Sequence, residues 1–313
     1  MKRDDFMEII FVIIFLILLG CVLKSLGFLT EKDKVTLNNL VIYVGMPALV
    51  FKSMLTNVSA DELVSYFKLT IFILFISAFC AVLAYFVGKK ILKLPKKSLA
   101  AFILVCACGN TAFMGFPIIT GFYGADGFTR AIFCDVATLV VVVALASYLG
   151  AKVSGRKVNV FKQVLKFPPS IAWAISLILI IFGVSMEMMP TMISTILELL
   201  SGIVVPLIMI SLGISLSGKY LKIALIPAVA VMLIQLIISP AIGIAALPFF
   251  QFEALDKKVA ILEAGMPPAM TPAIFAEIYG FETKLISAAT FLSTIVALGT
   301  IPLLHLILES GFI

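Results

Sequence analysis

Few side chains in this sequence can do chemistry away from water, and they gather around two interruptions. Asn110 and Thr111 stand in the first, Gly109-Asn110-Thr111-Ala112-Phe113-Met114-Gly115-Phe116-Pro117, and Thr271 in the second, Gly265-Met266-Pro267-Pro268-Ala269-Met270-Thr271-Pro272. Each falls inside a membrane-length apolar segment, one in either half of the chain. Glu263 lies about a turn before the second interruption, while Asp135, with Thr138 one turn on, lies in the apolar segment after the first. An Asn amide offers donors and an acceptor, so it can bond a carboxylate or satisfy broken backbone. An ionisable group in lipid must pair, protonate or hold a cation. The chemistry on offer is thus anion binding by amide, hydroxyl and backbone N–H, with a proton or cation handled by a carboxyl.

Membrane-spanning helices must position these groups. Of 313 residues, 62% are hydrophobic and 13% charged, and mean hydropathy is +1.21, more apolar surface than a soluble domain can hide. Apolar windows predict ten spans, near 6–27, 35–55, 64–87, 98–122, 128–150, 167–186, 192–217, 222–249, 258–279 and 284–308, each long enough for a hydrocarbon core of roughly 30 Å. The first run is too long for a secretory signal and lacks its small-residue cleavage site, so it reads as a retained span. The expected fold class is an all-α polytopic membrane protein. Cys21, Cys80, Cys106, Cys108 and Cys134 lie in apolar segments and read as small packing residues, since Cys106-x-Cys108 lacks the spacing and His partners of a metal site. No disulfide framework or resident cofactor is implied.

Sixteen of the 23 Lys and Arg residues fall in odd-numbered loops, among them Lys89, Lys90, Lys93, Lys96, Lys97, Lys152, Arg156, Lys157, Lys162 and Lys166. The positive-inside rule then makes those loops cytoplasmic and places both termini outside the cell membrane. The net charge of +6 reflects topology, and charges scattered over short loops do not make a nucleic-acid-binding face. Val44-Gly45-Met46-Pro47-Ala48-Leu49 lines up with Ile203-Val204-Val205-Pro206-Leu207-Ile208 at an offset of 159, and nearly the same offset brings one interruption onto the other. Five spans per copy is an odd number, so the second copy enters from the opposite face and the repeat is inverted, with broken helices 4 and 9 interrupted near the midplane. At such breaks the positive N–H ends suit a carboxylate and the negative carbonyl ends a cation. There is no H-E-x-x-H, G-x-S-x-G or nucleotide-binding loop, which argues against an intramembrane enzyme and an ATP-driven pump. A channel is a rival that single-channel currents would reveal.

The first interruption, the Ala264-Gly265-Met266-Pro267-Pro268-Ala269 stretch, and ten short spans joined by a brief basic central loop resemble a bacterial member of the auxin efflux carrier family across essentially the whole chain. The resemblance implies two inverted five-helix repeats, with spans 4 and 9 crossing at their broken centres. It implies a scaffold of 1–57 and 167–218, through which members dimerise, a transport domain of 58–150 and 219–313 that moves elevator-fashion, and a cytoplasmic linker over 151–166. Family substrates are organic anions: auxin in plants, small carboxylates such as malate or malonate in bacteria. Glu263-Ala264-Gly265-Met266 is also similar, more distantly, to a Glu-x-Gly-Met run of the bile-acid:sodium symporter family, where the Glu is a sodium ligand. Pro267-Pro268 replaces that family's Gln-Asn pair, which puts sodium coupling in question.

Expected substrate contacts are Asn110, Thr111, Pro117, Met266, Pro267, Pro268, Thr271 and, if Pro47 kinks its helix, Tyr43. Asn110 reads either as a substrate or ion ligand or as a cap for the second half of span 4. Glu263 reads either as the coupling site or as an outer-end carboxylate reaching water. Asp135, with Thr138, competes: it binds sodium with Glu263, carries a proton, or pairs with Arg130. Sodium at Asn110 and Glu263, a proton, or no coupling ion all stay open. Glu198 and Glu277 read as structural pairs or snorkelling ends, Lys52 as a snorkelling end, and His305 as interfacial. The expected partners are a small organic anion, the lipid bilayer and a second copy of the chain.

Overall fold

The computed structural model describes residues 3–155, 167–216 and 218–311. Arg156, Lys157, Lys162, Lys166 and most of the expected linker lie outside the described residues. Among the described residues the fold is all-helical and no strand forms.

Among the described residues, seven helices are long and apolar enough to cross a bilayer: Glu8–Ser25, Glu31–Asn57, Ala60–Ile91, Thr111–Ser154, Thr191–Ser215, Leu225–Phe250 and Thr283–Glu309. The shortfall from ten has physical causes. Expected spans 4 and 9 are cut into the short helices Lys96–Ala107, Ala254–Ala264 and Thr271–Tyr279. The second half of span 4 joins span 5 in the 44-residue stretch Thr111–Ser154. Two helices meet there at Gly124, whose φ of 63° and ψ of −152° are closed to most side chains. Expected span 6 is the helix Pro168–Ile181, whose 14 residues extend about 21 Å at 1.5 Å per residue.

Proline shapes the helices from inside. Wide π-turns at Val41–Gly45, Thr111–Gly115 and Ile234–Ile238 each run directly into a helix whose second residue is proline, Pro47, Pro117 or Pro240. A proline has no N–H to donate one turn back and its ring crowds that carbonyl, so the preceding turn opens instead of closing as regular α-helix.

The chain packs as two compact units. One gathers Met1–Phe67, Phe116–Ile132 and Phe161–Leu216. Here Arg3–Ser25 lies against Val204–Ser215 so closely that a Cβ on Gly20 would overlap the Ile210 carbonyl oxygen and one on Gly213 that of Ile17. Lys24 Nζ crosses the same seam to donate to the Ile214 carbonyl at 2.6 Å and pairs with Glu31 at 2.6 Å. Met46–Asn57 packs on Pro168–Ile181 and Thr191–Gly202. The Ser53 and Thr129 hydroxyls bond at 2.7 Å, and Asn57 Nδ2 donates to Thr129 at 3.0 Å.

The other unit gathers Lys68–Gly115, Phe133–Val160 and Ser217–Ile313. Leu225–Leu233 runs along Thr283–Glu309, which also packs on Lys96–Ala107, and Phe72 meets Phe250 and Phe252 edge-on. The second interruption and the first as far as Gly115 fall in this unit.

Candidate functional site

The two interruptions repair each other. Lys96–Ala107 ends at Cys108, which is extended (φ −121°, ψ 103°), and Pro267-Pro268 ends Ala254–Ala264 because neither residue can supply a helical N–H. The freed segments form an isolated antiparallel bridge between Gly109 and Pro268. Asn110 N–H donates to the Pro267 carbonyl at 2.7 Å, and Ala269 N–H donates to that of Cys108 at 2.8 Å. Backbone that would stand orphaned in hydrocarbon is thus paired across the crossing.

Around the bridge lie the polar groups. Asn110 is 2% exposed. Its Oδ1 accepts the Phe113 N–H at 3.2 Å as a cap on the next turn, while Nδ2 has no protein partner. Thr111 donates to Asp135 Oδ1 at 2.6 Å. Glu263 is 1% exposed and neither carboxyl oxygen has a partner. That carboxyl rests on Gly115, where a Cβ would stand 2.6 Å from Oε1 and 2.8 Å from Cδ. Asp135 and Glu263 therefore touch the same turn, Thr111–Gly115. A cavity of about 10 Å³ opens among Gly109, Thr111, Thr138, Gln235, Ser239 and Glu263, close to the room one water needs.

Of the residues expected from sequence, Asn110, Thr111, Asp135, Thr138, Glu263, Met266, Pro267 and Pro268 all belong to this unit and, apart from the half-buried Asp135, are buried. Thr271, half-buried, opens the next helix. Pro117 and Tyr43 belong to the other unit, with Tyr43 64% exposed on its π-turn. Of the Asn110 alternatives, capping is present and the amide nitrogen is left over. Glu263 is buried and does not reach water. Asp135 bonds Thr111, whereas Arg130 stacks over Tyr66 and donates to the Asp126 carbonyl. Glu198 pairs with Lys52 at 3.6 Å, and Glu277 is exposed. His305 is buried within the protein.

Sequence reasoning passed over Gln235 and Ser239. Gln235 Nε2 donates to the Val105 carbonyl at 3.0 Å and the Cys106 carbonyl at 2.8 Å, and Ser239 Oγ donates to the Ala264 carbonyl at 2.6 Å. The available signal was a lone amide in a long apolar run followed by Ser-Pro. Such a group has to find a partner in lipid. Among the described residues the cysteines are free, and no group of three His, Cys, Asp or Glu could hold a metal ion.

An all-helical chain with several membrane-length helices and a buried polar site between two mutually paired breaks has the makings of a multi-pass transporter. Residues 5–305 match the family described as Membrane transport protein, and the chain belongs to that family. It is 36% identical over 298 residues to an uncharacterized transporter of Methanocaldococcus jannaschii, covering 95% of this chain and 97% of the relative. An uncharacterized transporter of Methanothermobacter thermautotrophicus is 32% identical over 302 residues, covering 96% and 98%. Auxin efflux carrier component 8 of Arabidopsis thaliana is 31% identical over 114 residues, 36% of this chain and 31% of that protein. The resemblance read from the two interruptions thus stands. The chain is a membrane transporter and not an enzyme.

Proposed function

We propose that this chain is a secondary transporter of small organic anions, carboxylates such as malate and malonate or auxin-like acids, with the paired breaks as its substrate site. The observation that carries this reading is Asn110 Nδ2, a buried donor with no protein partner at the crossing. A buried amide left bare in the resting protein costs free energy unless a ligand accepts from it. Thr111 and Thr271 add hydroxyls, and Met266, Pro267 and Pro268 an apolar wall. A cavity of about 10 Å³ is too small for a dicarboxylate, so the anion binds a more open member of the ensemble.

In this reading ten crossings form two inverted five-helix repeats, with both breaks at the midplane and both termini outside the cell membrane. Segments 58–150 and 219–313 move elevator-fashion, segments 1–57 and 167–218 form a scaffold through which two copies pair, and 151–166 links them in the cytoplasm. Glu263, with Asp135 and Thr138, handles the coupling ion. Sodium-coupled symport of the bile-acid type is the second reading, favoured by the bare Glu263 carboxyl; a proton on Glu263 would answer the same need.

The test is a thermal-shift screen of the purified chain against carboxylates, in sodium and in choline salts. A ligand that binds only the folded state raises its stability. A shift with one acid class supports the reading, and sodium dependence of that shift selects symport. No shift with any acid refutes the proposed substrate class.

A further inference from the structure

Several backbone carbonyls at the crossing are already engaged, and one helix does much of the work. Gln235 and Ser239 lie one turn apart on Leu225–Phe250, each 3% exposed. Gln235 sits inside the π-turn Ile234–Ile238, and Ser239 directly follows it. Gln235 caps Val105 and Cys106, the two carbonyls before the last of Lys96–Ala107, and Ser239 caps Ala264, the last carbonyl of Ala254–Ala264. The bridge occupies the carbonyls of Cys108 and Pro267. Those groups form the negative ends of the two half-helices, the oxygens a bound cation would use.

Donors are treated differently. Asn110 Nδ2 has no partner. The turn Thr111–Gly115 begins a helix; Asn110 accepts the N–H groups of Phe113, Met114 and Gly115, which leaves those of Thr111 and Ala112 without an intrahelical acceptor by position. The crossing therefore keeps the Asn110 amide donor free while the carbonyls of Val105, Cys106, Cys108, Ala264 and Pro267 are engaged.

We propose that Gln235 and Ser239 are specificity-determining residues: by capping the negative ends of both half-helices they remove the cation-binding face of the crossing and leave it selective for an anion. The inference rests on the crossing being the substrate site. Glu263 sharpens it. With the caps in place this carboxyl shares its cavity with Thr111, Thr138 and Ser239; without them, the carbonyls of Val105, Cys106 and Ala264 lose their donors.

The test uses the full chain in nanodiscs, with Gln235→Met, which keeps length and loses both donors, Ser239→Ala, and the double variant. Melting is followed in sodium chloride and in choline chloride at equal ionic strength, and binding is measured with malate and malonate as probes. Wild type is expected to melt alike in the two salts. The double variant is expected to gain stability in sodium and to lose about tenfold in affinity for whichever probe wild type binds, the effect of about one buried hydrogen bond's worth of misplacement. Ser239→Thr, which keeps the hydroxyl, should restore the wild-type response relative to Ser239→Ala. A purely structural role would lower stability equally in both salts.

Variants that bind the probes at wild-type affinity and remain indifferent to sodium overturn the proposal. So does sodium stabilisation of wild type, which is read even if every variant misfolds. If neither acid binds wild type, the anion-transport reading loses these substrates, while the salt comparison still decides the role of the two caps.

Discussion

Gly115 offers the sharpest probe of the site, because its backbone does not need glycine. Its φ of −61° and ψ of −52° are ordinary helical values, so propensity alone would make Gly115→Ala stabilising by about 0.5–1 kcal/mol. Space argues the other way. The three atoms nearest to an added Cβ are all from the tip of Glu263: Oε2, then Oε1 at 2.6 Å and Cδ at 2.8 Å. Glu263 is 1% exposed, and the room beside it is the cavity of about 10 Å³. The carboxyl must move into that space or push the helices apart, an overpacking cost of about 1–3 kcal/mol.

The net expectation is a loss of roughly 1 kcal/mol for Gly115→Ala in the wild-type background, from these opposing terms. In a Glu263→Ala background the obstructing atoms are gone, only the propensity term remains, and the same substitution should stabilise. The sign reverses. The double-mutant cycle then yields a coupling of about 1–3 kcal/mol. Unfolding free energies of the four proteins, measured by reversible denaturation in mixed micelles, supply the cycle. If Gly115→Ala has the same effect in both backgrounds, to within about 0.5 kcal/mol, the carboxyl does not rest on Gly115 and the geometry assigned to the site is wrong.

Asn110→Ala should abolish organic-anion uptake into proteoliposomes while leaving folded, monodisperse protein; undiminished flux takes the amide out of the site. Thr111→Val removes the donor to Asp135 and should cost about 1–3 kcal/mol, recovered in Thr111→Ser, with the unfolding midpoint as readout. Gly20→Ala drives a Cβ into the backbone at Ile210, which yields far less than a side chain, and should cost about 2 kcal/mol or more. Gly202→Ala, with no atom within 4 Å of the added carbon, should be neutral or mildly stabilising in the same assay.

Much of this was legible in the sequence because lipid leaves few options. Prolines at 117, 267, 268 and 272 inside apolar runs forecast the breaks, and the requirement to pair freed backbone forecasts that they are buried. Asn110 and Glu263 stood out because polar groups in hydrocarbon need a reason. The partnerships were not legible, since they join positions far apart in the chain: Gln235 and Val105 are separated by 130 residues. Nor did Tyr43 and Pro117 fall in the unit that holds the breaks, because residue type says nothing of which packing group a helix joins. Length misled at Pro168–Ile181, where an apolar window of twenty residues became a helix of 14. Gly183, at φ 75°, lies just beyond that helix in a conformation it cannot continue through.

The pairing of the breaks constrains each half by the other. An unpaired backbone group in hydrocarbon costs several kcal/mol, and each interruption supplies one donor and one acceptor to its counterpart: Asn110 N–H to Pro267, Ala269 N–H to Cys108. Straightening either segment would therefore strand a donor and an acceptor on the other. Neither break is stable alone. The same economy explains why the carbonyls of Val105, Cys106 and Ala264 are met by the Gln235 and Ser239 side chains of another helix, and why the donor on Asn110 is conspicuous. With those backbone groups paired, the bare Asn110 amide and the bare Glu263 carboxyl are the groups on which the proposed anion and its coupling ion would act.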